Sequence, residues 1–121
     1  MTTTTAISEA SLQAPAQLIN ALADPARLRI LNLIKHGGEV CNCQIGPITG
    51  YIPSKISRHL SLLKQAGLLG ERREGTFIHY QINRPSSLVM RRTLALLDAV
   101  AAADPRLQAD CVLLDAARCC V

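Results

Sequence analysis

Between Pro53 and Gly67 the run PSKISRHLSLLKQAG sets Ile56, Leu60 and Leu63 at spacings of four and three, which stacks them on one face of a helix. Ser54, Lys55, Ser57, Arg58, Ser61 and Gln65 fill the other positions with hydroxyl, amide and cationic groups. Pro53 suits the first helical position, where its missing amide costs nothing, and Gly67 stops the run. A helix of this kind fits a DNA major groove. It fits a solvated surface equally well, so the flanking stretches decide.

Upstream, residues 8 to 22 read as a first helix, with Leu12, Leu18, Ile19 and Leu22 apolar and Pro15 kinking or starting it. Asp24-Pro25 is an N-cap followed by a first-position proline. The second helix runs from Pro25 to about His36, with Leu28, Ile30, Leu31, Leu33 and Ile34 inward and Gly37-Gly38 ending it. Residues 39 to 50, EVCNCQIGPITG, contain Gly46 and Pro47. Both are poor in a helix interior, so a frayed or broken helix is expected. Helix, short connection and helix make a helix-turn-helix, whose second member reads DNA.

Downstream, Leu69 to Arg73 and Thr76 to Ile82 carry strand-type patterns around a turn at Glu74-Gly75. Arg72, Arg73 and Thr76 lie at the tip of this hairpin, suited to phosphates or the minor groove. Pro85 to Ala103 forms a long helix whose broad apolar face (Leu88, Val89, Leu94, Leu96, Leu97, Val100) calls for a partner. The first helix and a second copy of the chain are the candidates. Asp104-Pro105 opens a C-terminal extension over 104–121, with Leu107, Cys111 and Leu114 at helical spacing and a Cys119-Cys120-Val121 end. The pattern predicts a mainly α fold with a small β-hairpin: a winged helix-turn-helix, dimeric through terminal helices. It forms one domain over 1–121, with residues 1–7 disordered.

Charge sharpens this picture. Of the net +4, the whole excess falls in residues 50–84, where six Lys and Arg face two Glu. A localised basic patch is the footprint of a polyanion-binding surface. Aromatic residues are limited to Phe77, Tyr51 and Tyr80, so aliphatic side chains must fill the core. No apolar stretch is long enough to span a membrane, and the first residues show no signal-peptide pattern, so a cytoplasmic location is expected.

The five cysteines, Cys41, Cys43, Cys111, Cys119 and Cys120, are then read as metal ligands, redox sensors or core residues rather than as a disulfide framework. Thiolates select soft ions. A small thiol enzyme is disfavoured, because neither Cys41 nor Cys119 lies in an anion-binding loop. Cys111, beside Leu107 and Leu114, reads more as core than as ligand. His36 reads as a helix C-terminal residue, His79 as structural, and His59 as a candidate contact to phosphate or base.

The blocks LADPARLRIL (22–31), EVCNC (39–43), SKISRHLSLLKQAGLL (54–69) and REGTFIHYQI (73–82) resemble the ArsR/SmtB family of metal-sensing repressors. The resemblance covers about residues 15 to 100. It implies a homodimer bound to double-stranded operator DNA. EVCNC is similar to the thiol motif of the members that answer arsenite, antimonite, cadmium or lead, which implies Cys41 and Cys43 as effector ligands. A third motif cysteine would fall at position 46, which is Gly46 here. The zinc-type site on the long helix is not implied, since residues 85–103 hold Asp98 and no His.

On this reading Ser54, Lys55, Ser57, Arg58 and His59 enter the major groove, and Lys64, Arg72, Arg73 and Thr76 meet the backbone. As(III) or Sb(III), with Cd(II) or Pb(II) as alternatives, is the effector. Cys119, Cys120 or Cys111 completes the site. Cys41 and Cys43 are two residues apart, which on an α-helix turns them about 200° from each other. Shared binding is therefore expected to need an unwound helix start. Thiol oxidation or a sulfur species remains the alternative trigger.

Overall fold

The computed structural model describes residues 8 to 119. A 3-10 turn at Glu9–Leu12 leads into helix α1 (Gln13–Ala21). Helix α2 (Pro25–Gly37) begins on Asp24, whose Oδ1 accepts from the amides of Ala26 at 2.8 Å and Arg27 at 3.4 Å. Arg27 is buried and caps the end of α1, donating from Nε to the Ala21 carbonyl and from Nη2 to that of Asn20.

Helix α2 is the centre of the core. Ile30, Leu31, Leu33 and Ile34 have no exposure, and around them pack Leu18, Ile45, Leu60, Leu63, Leu68, Leu97 and Leu114. Next come strand β1 (Glu39–Cys41), helix α3 (Asn42–Thr49), helix α4 (Pro53–Gln65), strands β2 (Leu69–Glu74) and β3 (Phe77–Ile82), helix α5 (Leu88–Ala103) and helix α6 (Pro105–Cys119). The three strands form an antiparallel sheet in the order β1-β3-β2.

Two expectations for residues 39–50 are corrected. The first three residues form a strand, with Glu39, Val40 and Cys41 opposite Gln81, Tyr80 and His79. Three residues are too few to show a strand period; the pairing comes from the hairpin and from the burial of Val40. The helix that follows is intact over Asn42–Thr49 despite Pro47. It is capped at both ends, and Gly50, at φ +78°, closes it with its amide 2.8 Å from the Gly46 carbonyl.

The hairpin turn also moves by one residue. Glu74 pairs with Phe77, leaving Gly75-Thr76 as the loop. Gly75 takes φ +62°, as the first position of a type II′ turn requires.

Helix α6 lies along α2, running parallel to it through a ladder of polar contacts. Arg29 meets Asp110, Asn32 donates to the Leu107 carbonyl at 3.0 Å, His36 meets Asp115 at 3.0 Å, and Arg118 donates to the Gly37 carbonyl at 2.7 Å. Gly37 permits this approach, since a Cβ there would fall 3.0 Å from both Leu114 Cδ2 and Arg118 Nη2 of α6, and 2.7 Å from Val40 Cγ2 of β1. The expectations for residues 1–7, the Cys119 side chain and Cys120 fall outside the described residues. No helix among the described residues is long and apolar enough to cross a membrane.

Candidate functional site

Helix α4 divides as its sequence requires. Ile56, His59, Leu60 and Leu63 are buried, a spacing of three, four and seven that forms one stripe. Ser54, Ser57, Arg58 and Ser61 are exposed on the other side. His59 is therefore corrected: at 6% exposure it belongs to the stripe, not to the outer face. Burial lowers its pKa, with Arg27, Arg58 and Lys55 adding to the effect and Asp24 opposing it.

Lys55 is half-buried, with Nζ 4.1 Å from the centre of the Tyr51 ring. That distance is a cation–π contact. Arg29 stacks on the same ring at 5.2 Å. The role of Tyr51 was missed from sequence, though its place four residues before Lys55 is a usable signal.

On the wing, Arg72, Arg73 and Thr76 are exposed. Arg72 is engaged by two acids: Nη2 lies 2.5 Å from Glu39 Oε1 and Nη1 lies 2.6 Å from Glu74 Oε2. These hydrogen bonds hold both carboxyls below their ordinary pKa. Lys64 pairs with Glu71. Arg58 and Arg73 form no ion pair among the described residues.

The thiol pair sits where β1 turns into α3. Cys41 is the N-cap of α3, in extended conformation (φ −75°, ψ 144°). Its Sγ accepts from the Cys43 amide at 3.3 Å, while Gln44 Oε1 accepts from the Cys41 amide at 2.9 Å. This is a capping box with sulfur in the hydroxyl's place. The extended cap swings Cys41 over the first turn, so its Sγ lies 2.6 Å from that of Cys43. The expected conflict of opposite helix faces does not arise, because Cys41 is outside the helix. No unwinding is needed for both sulfurs to meet one ion.

Cys41 is buried and Cys43 exposed at the surface. Partial burial and the hydrogen bond to Cys41 push the Cys43 pKa up. Cys111 stands apart on α6, where it accepts from Asn32 Nδ2 at 3.3 Å and where burial raises its pKa. Among the described residues no three His, Cys, Asp or Glu side chains gather as a ready metal site. The described site is thus a two-sulfur site.

The family model for "Bacterial regulatory protein, arsR family" matches residues 24–70. That segment contains α2, the thiol pair and α4. The arsenical resistance operon repressor of Escherichia coli K12 is 42% identical over 69 residues, covering 57% of this chain and 59% of that protein. The chain thus spans a little over half the length of that relative. An uncharacterized HTH-type transcriptional regulator of Methanocaldococcus jannaschii is 40% identical over 55% of this chain and 75% of its own.

Among solved structures, a homodimeric winged helix-turn-helix DNA-binding domain from Mycobacterium bovis, described as a possible ArsR-family regulator, superposes with a TM-score of 0.62. It is 36% identical over 77% of this chain and 82% of that one. Fold and family are those of DNA-binding transcriptional regulators, not of enzymes. The chain belongs to the arsR family of bacterial regulatory proteins.

Proposed function

We propose that this chain is a homodimeric repressor that holds operator DNA through α4 and the β2–β3 wing, and releases it when Cys41 and Cys43 take arsenite or antimonite. The observation that carries this reading is the placement of the thiol pair. Its two sulfurs lie 2.6 Å apart, on a strand paired to the wing and at the start of the helix preceding α4. An ion bound there shifts the population between DNA-competent and released shapes by its differential affinity for the two.

Trivalent arsenic takes three ligands in a pyramid. Cys41 and Cys43 supply two, and for the inorganic ion Cys119 or Cys120 supplies the third. Arg118, just before them, is docked on the Gly37 and Glu39 carbonyls, close ahead of Cys41 in the chain. Cys111, hydrogen-bonded to Asn32 on the α2–α6 seam, serves packing. Dimerisation is supported by the exposed apolar residues Ile19 on α1 and Leu88, Val89 and Leu96 on α5. Two copies would place two reader helices on two half-sites.

The deciding experiment measures operator affinity by fluorescence anisotropy while arsenite, antimonite, cadmium or lead is titrated. Arsenite should release DNA from the native chain and not from the Cys41→Ser/Cys43→Ser variant. Release that persists in that variant rejects the reading, and release by cadmium or lead alone reassigns the ion.

A further inference from the structure

Glu39 and Cys41 are the first and last residues of strand β1, and the alternation of a strand sets them on one face with Val40 on the other. Val40 is fully buried in the core. On the opposite face Cys41 pairs with His79, and His79 pairs in turn with Arg72. Opposing residues share a face, so thiol, imidazole and guanidinium form one row from the thiol pair to the wing. Glu39 reaches diagonally over this row. Its Oε1 accepts from Arg72 Nη2 at 2.5 Å and its Oε2 from Arg72 Nε at 3.4 Å, with His79 Nδ1 3.8 Å from the same Oε1. The backbone of Glu39 is tied elsewhere: its carbonyl accepts from Arg118 of α6. Glu39 thus joins the strand that ends in Cys41, the wing cation, and the helix that leads to Cys119 and Cys120.

We propose that Glu39 is the positioning residue through which the thiol site sets Arg72 for or against DNA. The inference rests on Cys41 and Cys43 being the effector ligands and on the wing meeting DNA. Arg72 has two competing anions, the Glu39 carboxylate and a backbone phosphate. The same edge of a guanidinium cannot hold both, so the choice has two states. The Glu39–Arg72 pair is exposed to solvent, and such a pair gives way at little cost. DNA therefore takes Arg72 from Glu39 while β1 is free to shift. An ion held by Cys41 and Cys43 fixes the end of β1, two residues from Glu39. A tail thiol joining that ion draws Arg118, and with it the Glu39 carbonyl, to the same spot. The carboxylate then stays over Arg72, and the phosphate loses a cation and meets a negative charge. Glu74 also holds Arg72, at 2.6 Å, but from the same strand. Its contact does not depend on β1, so the difference between the two states lies at Glu39.

The test measures operator affinity by fluorescence anisotropy with and without saturating arsenite, and arsenite affinity of the DNA-free chain by calorimetry. The readout is the arsenite factor, the ratio of the two operator Kd values. A change in overall charge moves both Kd values alike and leaves the ratio unchanged. Glu39→Gln keeps the side chain's size and removes its charge. Without arsenite it should bind operator about threefold tighter than the native chain. It should keep its arsenite affinity within about twofold and shrink the arsenite factor about fivefold. Arg72→Gln should shrink the factor as much. In the Arg72→Gln background Glu39→Gln should change it no further, whereas a merely structural effect of Glu39 would add its own loss. Glu74→Gln should keep the native factor.

An unchanged factor in Glu39→Gln overturns the proposal, and so does a further loss in the double variant. If Glu39→Gln weakens arsenite binding through a disturbed β1, Arg72→Gln decides, because Arg72 stands two strands away from Cys41. A native factor in that variant overturns the proposal, and a reduced one upholds it. A native chain that arsenite does not release, or release that persists in Cys41→Ser/Cys43→Ser, overturns the thiol-pair reading and the proposal with it. Release that needs both sulfurs yet is indifferent to Glu39 and Arg72 overturns the coupling alone.

Discussion

Arg29 and Asp110 form a two-point ion pair, Nε to Oδ2 at 2.9 Å and Nη2 to Oδ1 at 3.0 Å, that ties the C-terminal helix to the centre of the core. The Asp110 side chain is 2% exposed and that of Arg29 14%. The same guanidinium reaches the Thr49 carbonyl at 3.4 Å and the Tyr51 hydroxyl at 3.3 Å. The C-terminal end of α3 and the approach to α4 therefore share one cation with α6. The carboxylate raises the Arg29 pKa further above its ordinary value, so the charge is permanent. Asp110→Ala strands that charge, and breaking a buried pair from one side costs about 3 kcal/mol. The urea midpoint of the variant should fall accordingly, with a smaller loss for Asp110→Asn, which keeps an acceptor.

Cys41 has a structural duty separate from its chemistry. As N-cap of α3 it satisfies the Cys43 amide. Serine is a strong N-cap, whereas alanine caps poorly and costs about 1 kcal/mol. Cys41→Ser should therefore keep the native stability while losing the response to arsenite. Cys41→Ala should lose both. Equal thermal midpoints for the two variants would show that the cap carries no weight.

His59 makes stability depend on pH. Its folded pKa is lowered, first by burial, below the unfolded value of about 6.5. Between those two values the unfolded chain binds the extra proton and the folded chain does not, so stability rises with pH across that window. His59 thus leaves stability intact above about pH 6.5 and erodes it as pH falls toward the folded value. Urea midpoints from pH 7.5 to pH 5 should decline for the native chain, and more shallowly for His59→Gln.

The helices were legible where sequence period and burial coincide. Ile56, Leu60 and Leu63 announced α4, and Asp24-Pro25 announced α2, because caps and stripes are local features. His59 was misplaced by its chemistry, although its spacing from Ile56 and Leu63 already put it in the stripe. Strand β1 and the meeting of Cys41 with Cys43 were not legible. The first exists only through its pairing with His79–Gln81, and the second through a cap conformation that a helix-only reading of EVCNC leaves out. The α2–α6 ladder was equally hidden, since Arg29 and Asp110 are 81 residues apart.

The wing arginines are not equivalent, and this separates their effects on DNA. Arg73 forms no ion pair among the described residues, so Arg73→Ala should weaken binding at every sequence and lower the salt slope by about one. Arg58 is exposed on the face of α4 proposed to enter the major groove, and on that proposal Arg58→Ala should remove the preference for operator over random DNA. Arg72 differs from both, because Glu39 and Glu74 already neutralise it. Deleting it would leave two carboxylates facing the phosphates, so its alanine variant mixes lost attraction with new repulsion. The cleaner probe is Glu74→Gln, which removes one acid and frees half of the guanidinium for the backbone. Anisotropy titrations over a range of salt should show tighter binding and a steeper salt dependence for Glu74→Gln than for the native chain. An unchanged slope would mean that Arg72 stays bound to Glu39 and takes no part in holding DNA.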